Sequence, residues 1–371
     1  MPYSKDKQRV VLAGGGHAHL HSLLNTAQFV ELGCDVVLVN PSPYLYYSGM
    51  ATGVISGTYT PEQDRIDVRR LAERGGGRFV EGRVVGVLGE TREVLLENGE
   101  RMPYDYASLC IGSEVAGSFE DESRIVPVKP VENTAEIRRR ILRHECPGGP
   151  NVLVVGGGAA GCEIAANAVN LMRQKNLGGL VTIAEAGPAL LGDSPEKARR
   201  EITSYFQERG VQVLTKAPVV SYADGVAEIG AGRKFEVDLL VSSVGIVPRA
   251  LKQGSYLLTG EDGGMWVNHY LQSVSDPRIF GGGDSISFRG EALPRLGVYG
   301  IRQGPVLFRN LLAAVEGRSL ETYEPQKRYL YILNFGDGAG LAVYGALSWR
   351  GRLAMMLKHA IDRRFMKRYD V

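Results

Sequence analysis

The chain has 371 residues, 44% of them hydrophobic and 23% charged, and a net charge of +2. That length exceeds one ordinary core, so two or three domains are expected, and the near-balanced charge excludes a global field for nucleic acid. Glycine, at 48 residues, is roughly twice its usual share, which without a collagen period marks many places where backbone passes close to something else.

The first elements are legible from periodicity. Arg9-Val10-Val11-Leu12-Ala13 is a short, β-branched apolar run and predicts a buried strand. Gly14-Gly15-Gly16-His17-Ala18-His19 follows, then a helix expected over 20–32 from the spacing of Leu20, Leu23, Leu24 and Ala27. A second strand, Val36 to Val39, ends at Asn40. In such a strand–loop–helix–strand unit the helix N-terminus offers free N–H groups and a positive dipole end to a phosphate. Gly14 and Gly16 permit the tight turn and the close approach, but His19 replaces the third glycine of the fingerprint, and Asn40 stands where an acidic ribose ligand is usual. Taken alone, the unit fits an ordinary strand–turn–helix connection as well as a phosphate loop. His17, His19 and His21 suggest a metal, yet no carboxylate or cysteine completes a set; no metal is expected, and His17 or His19 is expected to face a bound cofactor while His21 packs in the core.

The same pattern returns about 142 residues later in a stronger form. Asn151 to Val155 leads into Gly156-Gly157-Gly158-Ala159-Ala160-Gly161, with all three fingerprint glycines at 156, 158 and 161. The next strand, Val181 to Ala184, ends at Glu185, at the distance expected of a ribose ligand. A carboxylate there accepts both ribose hydroxyls and repels a 2′-phosphate, so NADH is expected over NADPH. Glu163, two residues past the third glycine, lies on the first helical turn; it is either a group that orients substrate or moves a proton, or a partner of the helix dipole.

Cysteine and hydropathy narrow the classes. Cys34, Cys110, Cys146 and Cys162 show neither a CxxC pair nor zinc spacing, and Cys162 reads as a small buried thiol in the nucleotide-binding helix. No apolar run approaches the roughly 18 residues of a spanning helix. No signal region precedes the strand at Val10, so a cytoplasmic location is expected.

Four further segments complete a resemblance. Tyr104 to Ser113 is similar to a crossover strand ending in Thr-Gly, with Ile111-Gly112 in its place, and Val237 to Gly245, followed by Pro248, is the matching crossover of the second unit. Asp276 to Asp284 resembles a flavin signature in which Gly283-Asp284 binds ribityl and phosphate oxygens. Pro294 to Gly304 resembles the helix that covers a flavin. Together these resemble the two-dinucleotide-binding flavoproteins, especially type II NADH dehydrogenases and sulfide:quinone oxidoreductases. The segments 14–19, 40–49 and 362–366 also resemble the flavoprotein module fused to selenophosphate synthetase, and this chain stops where that fusion would begin.

The resemblance implies an α/β fold of two interleaved Rossmann-like domains plus a short C-terminal amphipathic region. Residues 1–117 and 251–325 would bind FAD, 118–250 NAD(P)H, and 326–371 would cover the flavin or contact a membrane or second subunit. FAD is implied at Gly14, Gly15, Gly16, His17, Ala18, His19, Asn40, Pro41, Ser48, Val84, Ile111, Gly112, Gly283 and Asp284. NADH is implied at Gly156, Gly158, Ala159, Gly161, Glu185 and Gly245, with Glu163 and Gln303 as the catalytic candidates. The expected activity takes electrons from NADH through FAD to a small-molecule acceptor, with quinone first. The competing readings are a soluble reductase for a protein or sulfur/selenium acceptor and a non-catalytic FAD-binding redox partner. The residues depart from the family in two ways. No cysteine falls in 45–55 or after Cys162, which argues against dithiol relay and sulfide chemistry. In the quinone helix Gly297 and Val298 replace an alanine and a glutamine, and Gln303 remains.

The tail is basic, with Arg350, Arg352, Lys358, Arg363, Arg364, Lys367 and Arg368 against Asp362 and Asp370. Trp349, Leu353, Met356, Leu357, Ala360 and Phe365 recur at helical spacing. This predicts an amphipathic helix lying on an anionic membrane surface at the inner face, or packed on the flavin domain or a second subunit.

Overall fold

The computed structural model describes residues 7–117, 122–144 and 148–370. Two parallel five-stranded sheets carry the molecule. In the first, the strands run in spatial order Ile279–Gly281, Tyr106–Leu109, Arg9–Ala13, Asp35–Asn40 and Arg78–Glu81. In the second the order is Ile125–Pro127, Leu239–Ser242, Val152–Val155, Val181–Ala184 and Gln212–Leu214. Each glycine-loop strand is central and buried on both faces, which is why it reads as an unbroken apolar run rather than an alternating one.

The two units are interleaved. The strand Ile279–Gly281 returns after the whole second sheet to pair with Tyr106–Leu109. The chain crosses between the units through an antiparallel pair, Ser113–Val115 with Ile246–Pro248. Small three-stranded antiparallel sheets flank each unit, Val84–Leu88 through Pro103 in the first and Val219–Ala223 through Glu236 in the second.

The helix expected over 20–32 is two short ones, Leu20–Leu24 and Thr26–Glu31. Asn25 donates its side-chain amide to the His21 carbonyl, and Thr26 Oγ1 donates to Ser22 and Leu23 carbonyls, so polar side chains take over the backbone acceptors at the break. Leu24, 44% exposed, lies off the buried face.

The C-terminal region differs more. It begins with an antiparallel sheet of Leu330–Asn334, Gly340–Tyr344 and Leu347–Gly351, and the helix starts only at Arg352, running to Met366. Trp349 therefore belongs to a strand, and Phe365 faces inward, stacked on Tyr47 with ring centroids 4.3 Å apart. Among the described residues, no helix is long and apolar enough to cross a membrane.

Candidate active site

The two glycine loops share two anchoring bonds. Gly14 N donates to the Val39 carbonyl and Gly156 N to the Ala184 carbonyl, both at 2.8 Å. The middle glycine of each then bonds to the residue ending the second strand: Gly15 N to Asn40 Oδ1 at 2.8 Å, Gly157 N to Glu185 Oε2 at 2.6 Å. Glu185 Oε1 also accepts from Gly187 N at 2.6 Å, while the Asn40 amide donates to the Ser42 carbonyl at 2.6 Å. The strand-end residue thus sets the loop shape in both units, whatever it does for a ribose.

Glycine is required here by close approach. Gly14 has φ +87°, and a Cβ on it would overlap the Cys110 carbonyl of the crossover strand. A Cβ on Gly16 would strike Cys110 Sγ, and one on Gly161 the Gly156 carbonyl. Gly112, Gly158 and Gly245 are different: a Cβ on any of them would meet no protein atom within 4 Å. Their backbone borders open space beside the two loops, the kind of cradle a dinucleotide needs. In the second unit the helix Ala159–Gln174 points its N-terminus at that space, which suits a pyrophosphate.

The three loop histidines turn to three different neighbours. His19 is fully buried; its Nδ1 lies 2.5 Å from the Gly14 carbonyl and its Nε2 2.8 Å from Ser108 Oγ. The imidazole donates from Nδ1 and accepts at Nε2, and burial holds it neutral, with its pKa lowered to about 4. It clamps the loop to the crossover strand, so a phosphate-facing or flavin-facing part for its side chain is not what this geometry favours. His21 packs edge-on against Phe308. His17 leaves Nε2 buried without a hydrogen-bond partner, beside the stacked rings of Tyr47 and Phe365. Burial and nearby Lys129 lower its pKa to about 4, so it is a neutral group with one unsatisfied nitrogen.

The late acidic signature closes the same cavity wall. Gly283 takes φ +68°, and Asp284 Oδ2 accepts from Ser113 Oγ at 2.7 Å and from Lys129 Nζ at 3.4 Å. The helix Gly297–Glu316 comes close over the first loop because it has no side chains at two contacts: a Cβ on Gly300 would touch Gly283 and His17, and one on Gly304 the Ala18 carbonyl. Gln303, 1% exposed, accepts the Gly283 N–H at 2.6 Å through Oε1. It positions the Gly283-Asp284 turn rather than reaching open space. Val84 is packed in the core with its side chain 4% exposed, whereas Pro41 is exposed and Ser48 lies against Gly297.

Glu163 sits on the first turn of the second-unit helix, and its Oε1 accepts the N–H of Asn334, at the end of a C-terminal strand, at 2.6 Å. Burial pushes its pKa up to about 7, against the opposing pull of Lys358. The Thr52 hydroxyl lies beside it without forming a full hydrogen bond. Several neighbours here carry no signal in periodicity or spacing: Ser113, Lys129, Asn334 and Lys358 are brought in from remote parts of the chain. Cys34, Cys110 and Cys162 are separate buried thiols, with burial raising the pKa of Cys110 to about 12; Cys146 lies outside the described residues.

Paired parallel sheets and two glycine loops facing open space, with Glu163 on the helix after the second loop, define an α/β oxidoreductase with two dinucleotide sites. The chain belongs to the pyridine nucleotide-disulphide oxidoreductase family, whose model matches residues 8–304. It is an FAD-dependent oxidoreductase that uses NADH. Ferroptosis suppressor protein 1 of Xenopus tropicalis is 24% identical over 360 residues, covering 91% of this chain and 89% of that one. The type II NADH:quinone oxidoreductase of Staphylococcus aureus is 22% identical, covering 97% of this chain and 96% of its own. In fold, the chain is similar to NDH2 from Plasmodium falciparum solved in complex with NADH, with a TM-score of 0.84 at 15% identity, over 97% of this chain and 95% of that one.

Proposed function

We propose that the protein passes electrons from NADH through FAD to a quinone, working as a peripheral enzyme on an anionic membrane surface. The observation that carries this reading is the outer face of the C-terminal lobe. Leu347, Leu353 and Met356 are 67%, 74% and 64% exposed, with Trp349, Leu357 and Ile361 beside them on the same lobe. Arg352, Arg363, Arg364 and Lys367 are exposed on the same helix and the turn after it. An apolar ridge edged with cations suits an interface, where each Lys or Arg near an anionic headgroup adds about 1 kcal/mol. A quinone is the acceptor whose own solubility matches that location.

In this reading the first loop, with Asn40, Pro41, Ser48, Val84, Ile111, Gly112, Gly283 and Asp284, holds FAD. The orphaned His17 nitrogen and the open face of Gly112 support the fit. Gly156, Gly158, Ala159, Gly161, Glu185 and Gly245 hold NADH. FAD, when bound, supplies a two-electron store between donor and acceptor. Glu185 keeps a carboxylate at the ribose position and disfavours a 2′-phosphate. Glu163, with a pKa near neutrality, can hold or release a proton at the reaction face.

Anaerobic stopped-flow mixing tests the chemistry: NADH should bleach the flavin, and a short-chain benzoquinone should restore it faster than a ferredoxin-type protein does. Co-sedimentation with anionic liposomes, weakening as salt rises, tests the location. Bleaching without quinone reoxidation, and no liposome binding at low salt, would favour the soluble reductase. No bleaching at all would favour a non-catalytic redox partner.

A further inference from the structure

A buried polar chain, not used by either dinucleotide site, runs from an open cleft into the lobe contact. Lys358 and Asp362, one turn apart on the helix Arg352–Met366, are 6% and 3% exposed and pair at 3.1 Å. A buried ion pair is costly unless its remaining valences are filled. Here they are filled by groups that can pass protons. Lys358 Nζ also donates to the Gly49 carbonyl. Tyr59 donates its hydroxyl to Asp362 Oδ2 at 3.2 Å and lies 2.9 Å from His359 Nδ1. Tyr47 donates to Asp362 Oδ1 at 3.4 Å. Tyr59 and His359 line an open cleft of about 560 Å3, walled by Tyr44, Arg65, Arg363 and Tyr369. At the other end, Gly49 follows Ser48, which lies against Gly297 and the His17 side of the first loop.

The chain carries surplus negative charge. Asp64 is 1% exposed, and its Oδ1 has no hydrogen-bond partner. With the buried Asp362 and the half-buried Glu163 it makes three carboxyls facing the Lys358 ammonium, so full ionisation is opposed and a proton is retained. The facing groups come from every packed element: Tyr47, Tyr59 and Asp64 from the segment around helix Ser48–Ser56, Glu163 from helix Ala159–Gln174, and Lys358, His359, Asp362 and Arg363 from the C-terminal helix. Glu132 adds to the negative field on Asp64, and Tyr369 acts on Tyr47. Burial and Asp362 push Asp64 up to about 8, while burial and Arg363 lower His359.

The overall balance calls for a proton from water. NADH yields two electrons and one proton on becoming NAD+. A quinone consumes two electrons and two protons on becoming a hydroquinone, so one proton per turnover enters from solvent. We propose that His359, Tyr59 and Asp362 are the conduit that brings this proton from the cleft toward the reaction face, with Asp64 and Glu163 as its reservoir. His359 takes a proton from cleft water; Tyr59 receives it while giving its own to the Asp362 carboxylate. Lys358 passes a proton toward Glu163 and regains one from Asp362. These are positioning residues, acting through Glu163, and the inference rests on the quinone reading above.

The test uses FAD-loaded full-length protein and the variants Tyr59→Phe and His359→Gln, each checked for flavin content. Reduction of the flavin by NADH moves two electrons and one proton together and draws none from solvent. The ratio of the rate of reoxidation by a short-chain benzoquinone to the rate of reduction by NADH should therefore fall, on the order of tenfold in Tyr59→Phe. The pH profile of reoxidation should lose its alkaline limb near the Glu163 value, and its solvent deuterium effect should grow. An unchanged ratio, pH profile and deuterium effect in both variants would overturn the conduit while leaving the quinone reading intact. Wild-type protein that cannot reduce any quinone would overturn both.

Discussion

At the scale of single residues, environment decides what a side chain can do. Glu185 has both carboxylate oxygens engaged by backbone N–H groups, at Gly157 and Gly187, so it is an anchored negative charge and not a mobile one. Glu185→Gln should narrow the preference for NADH over NADPH by roughly tenfold, about 1.4 kcal/mol, read as the ratio of dissociation constants in flavin-reduction titrations. The loop should also loosen, because an amide accepts weaker bonds from those N–H groups than a carboxylate does.

Glu163 gives a pH prediction with a definite sign. Its pKa rises from 4.5 in the unfolded chain to about 7 in the fold, and that of Asp64 from 3.8 to about 8. Folding therefore takes up protons across that interval. The contribution to stability is full below the unfolded values and is lost as pH climbs through the folded ones. Glu163→Gln removes one such group. Its denaturation midpoint should fall less between about pH 5 and pH 8 than that of the wild type, by on the order of 1–3 kcal/mol in unfolding free energy. Equal slopes would mean that the carboxyl is ionised throughout.

At the scale of elements, much of the site is readable in the sequence. Both glycine loops, their flanking strands and the late Gly283-Asp284 turn follow from apolar run length and glycine spacing. The reason is local: a buried parallel strand must be apolar on both faces, and a loop tight against a crossover strand admits no Cβ. Gly14→Ala combines a left-handed φ with overlap on the Cys110 carbonyl. It should cost about 1–3 kcal/mol from backbone strain alone and lower the flavin-to-protein absorbance ratio of the purified enzyme. Helical periodicity misled at the C-terminus, where Trp349 fell into an apparent helical stripe but lies in a strand. A three-residue β pattern and one helical turn look alike over so short a span. Phe365 shares the helical spacing of the exposed Leu353, Met356 and Leu357, yet it fills the space over Tyr47 and His17. Phe365→Ala should cost about 3–5 kcal/mol and lower the melting temperature, because a buried aromatic leaves a cavity that its neighbours cannot close.

At the scale of the whole molecule, the C-terminal lobe has two faces with opposite characters. One buries Met355, Lys358, Asp362 and Phe365 against residues 47–59; the other exposes Leu353, Met356 and Ile361. Replacing Leu353 and Met356 together by Glu should abolish co-sedimentation with anionic liposomes and leave flavin content and NADH bleaching near wild-type levels, since neither side chain is buried. Liposome binding that persists would place the contact elsewhere; a change in oligomeric state in the variant would assign the ridge to a second copy of the chain.

The dinucleotide class, the two-unit order and the absence of a thiol pair from 45–55 were all present in the residues themselves. They depend on neighbours close in sequence, where spacing is geometry. The clamp of His19 on Gly14 and Ser108, the seat of Asp284 between Ser113 and Lys129, and the buried Lys358–Asp362 pair with Tyr47 and Tyr59 were not. The segments 40–49 and 362–366 share a family likeness and lie far apart in sequence; in the fold they meet, Tyr47 against Asp362 and Phe365. Such partners are separated by up to 315 positions, and a charge or hydroxyl in an isolated string reads as a solvated surface group. Only packing removes the water, and with the water gone the same groups must pair, shift their pKa values or hold a proton.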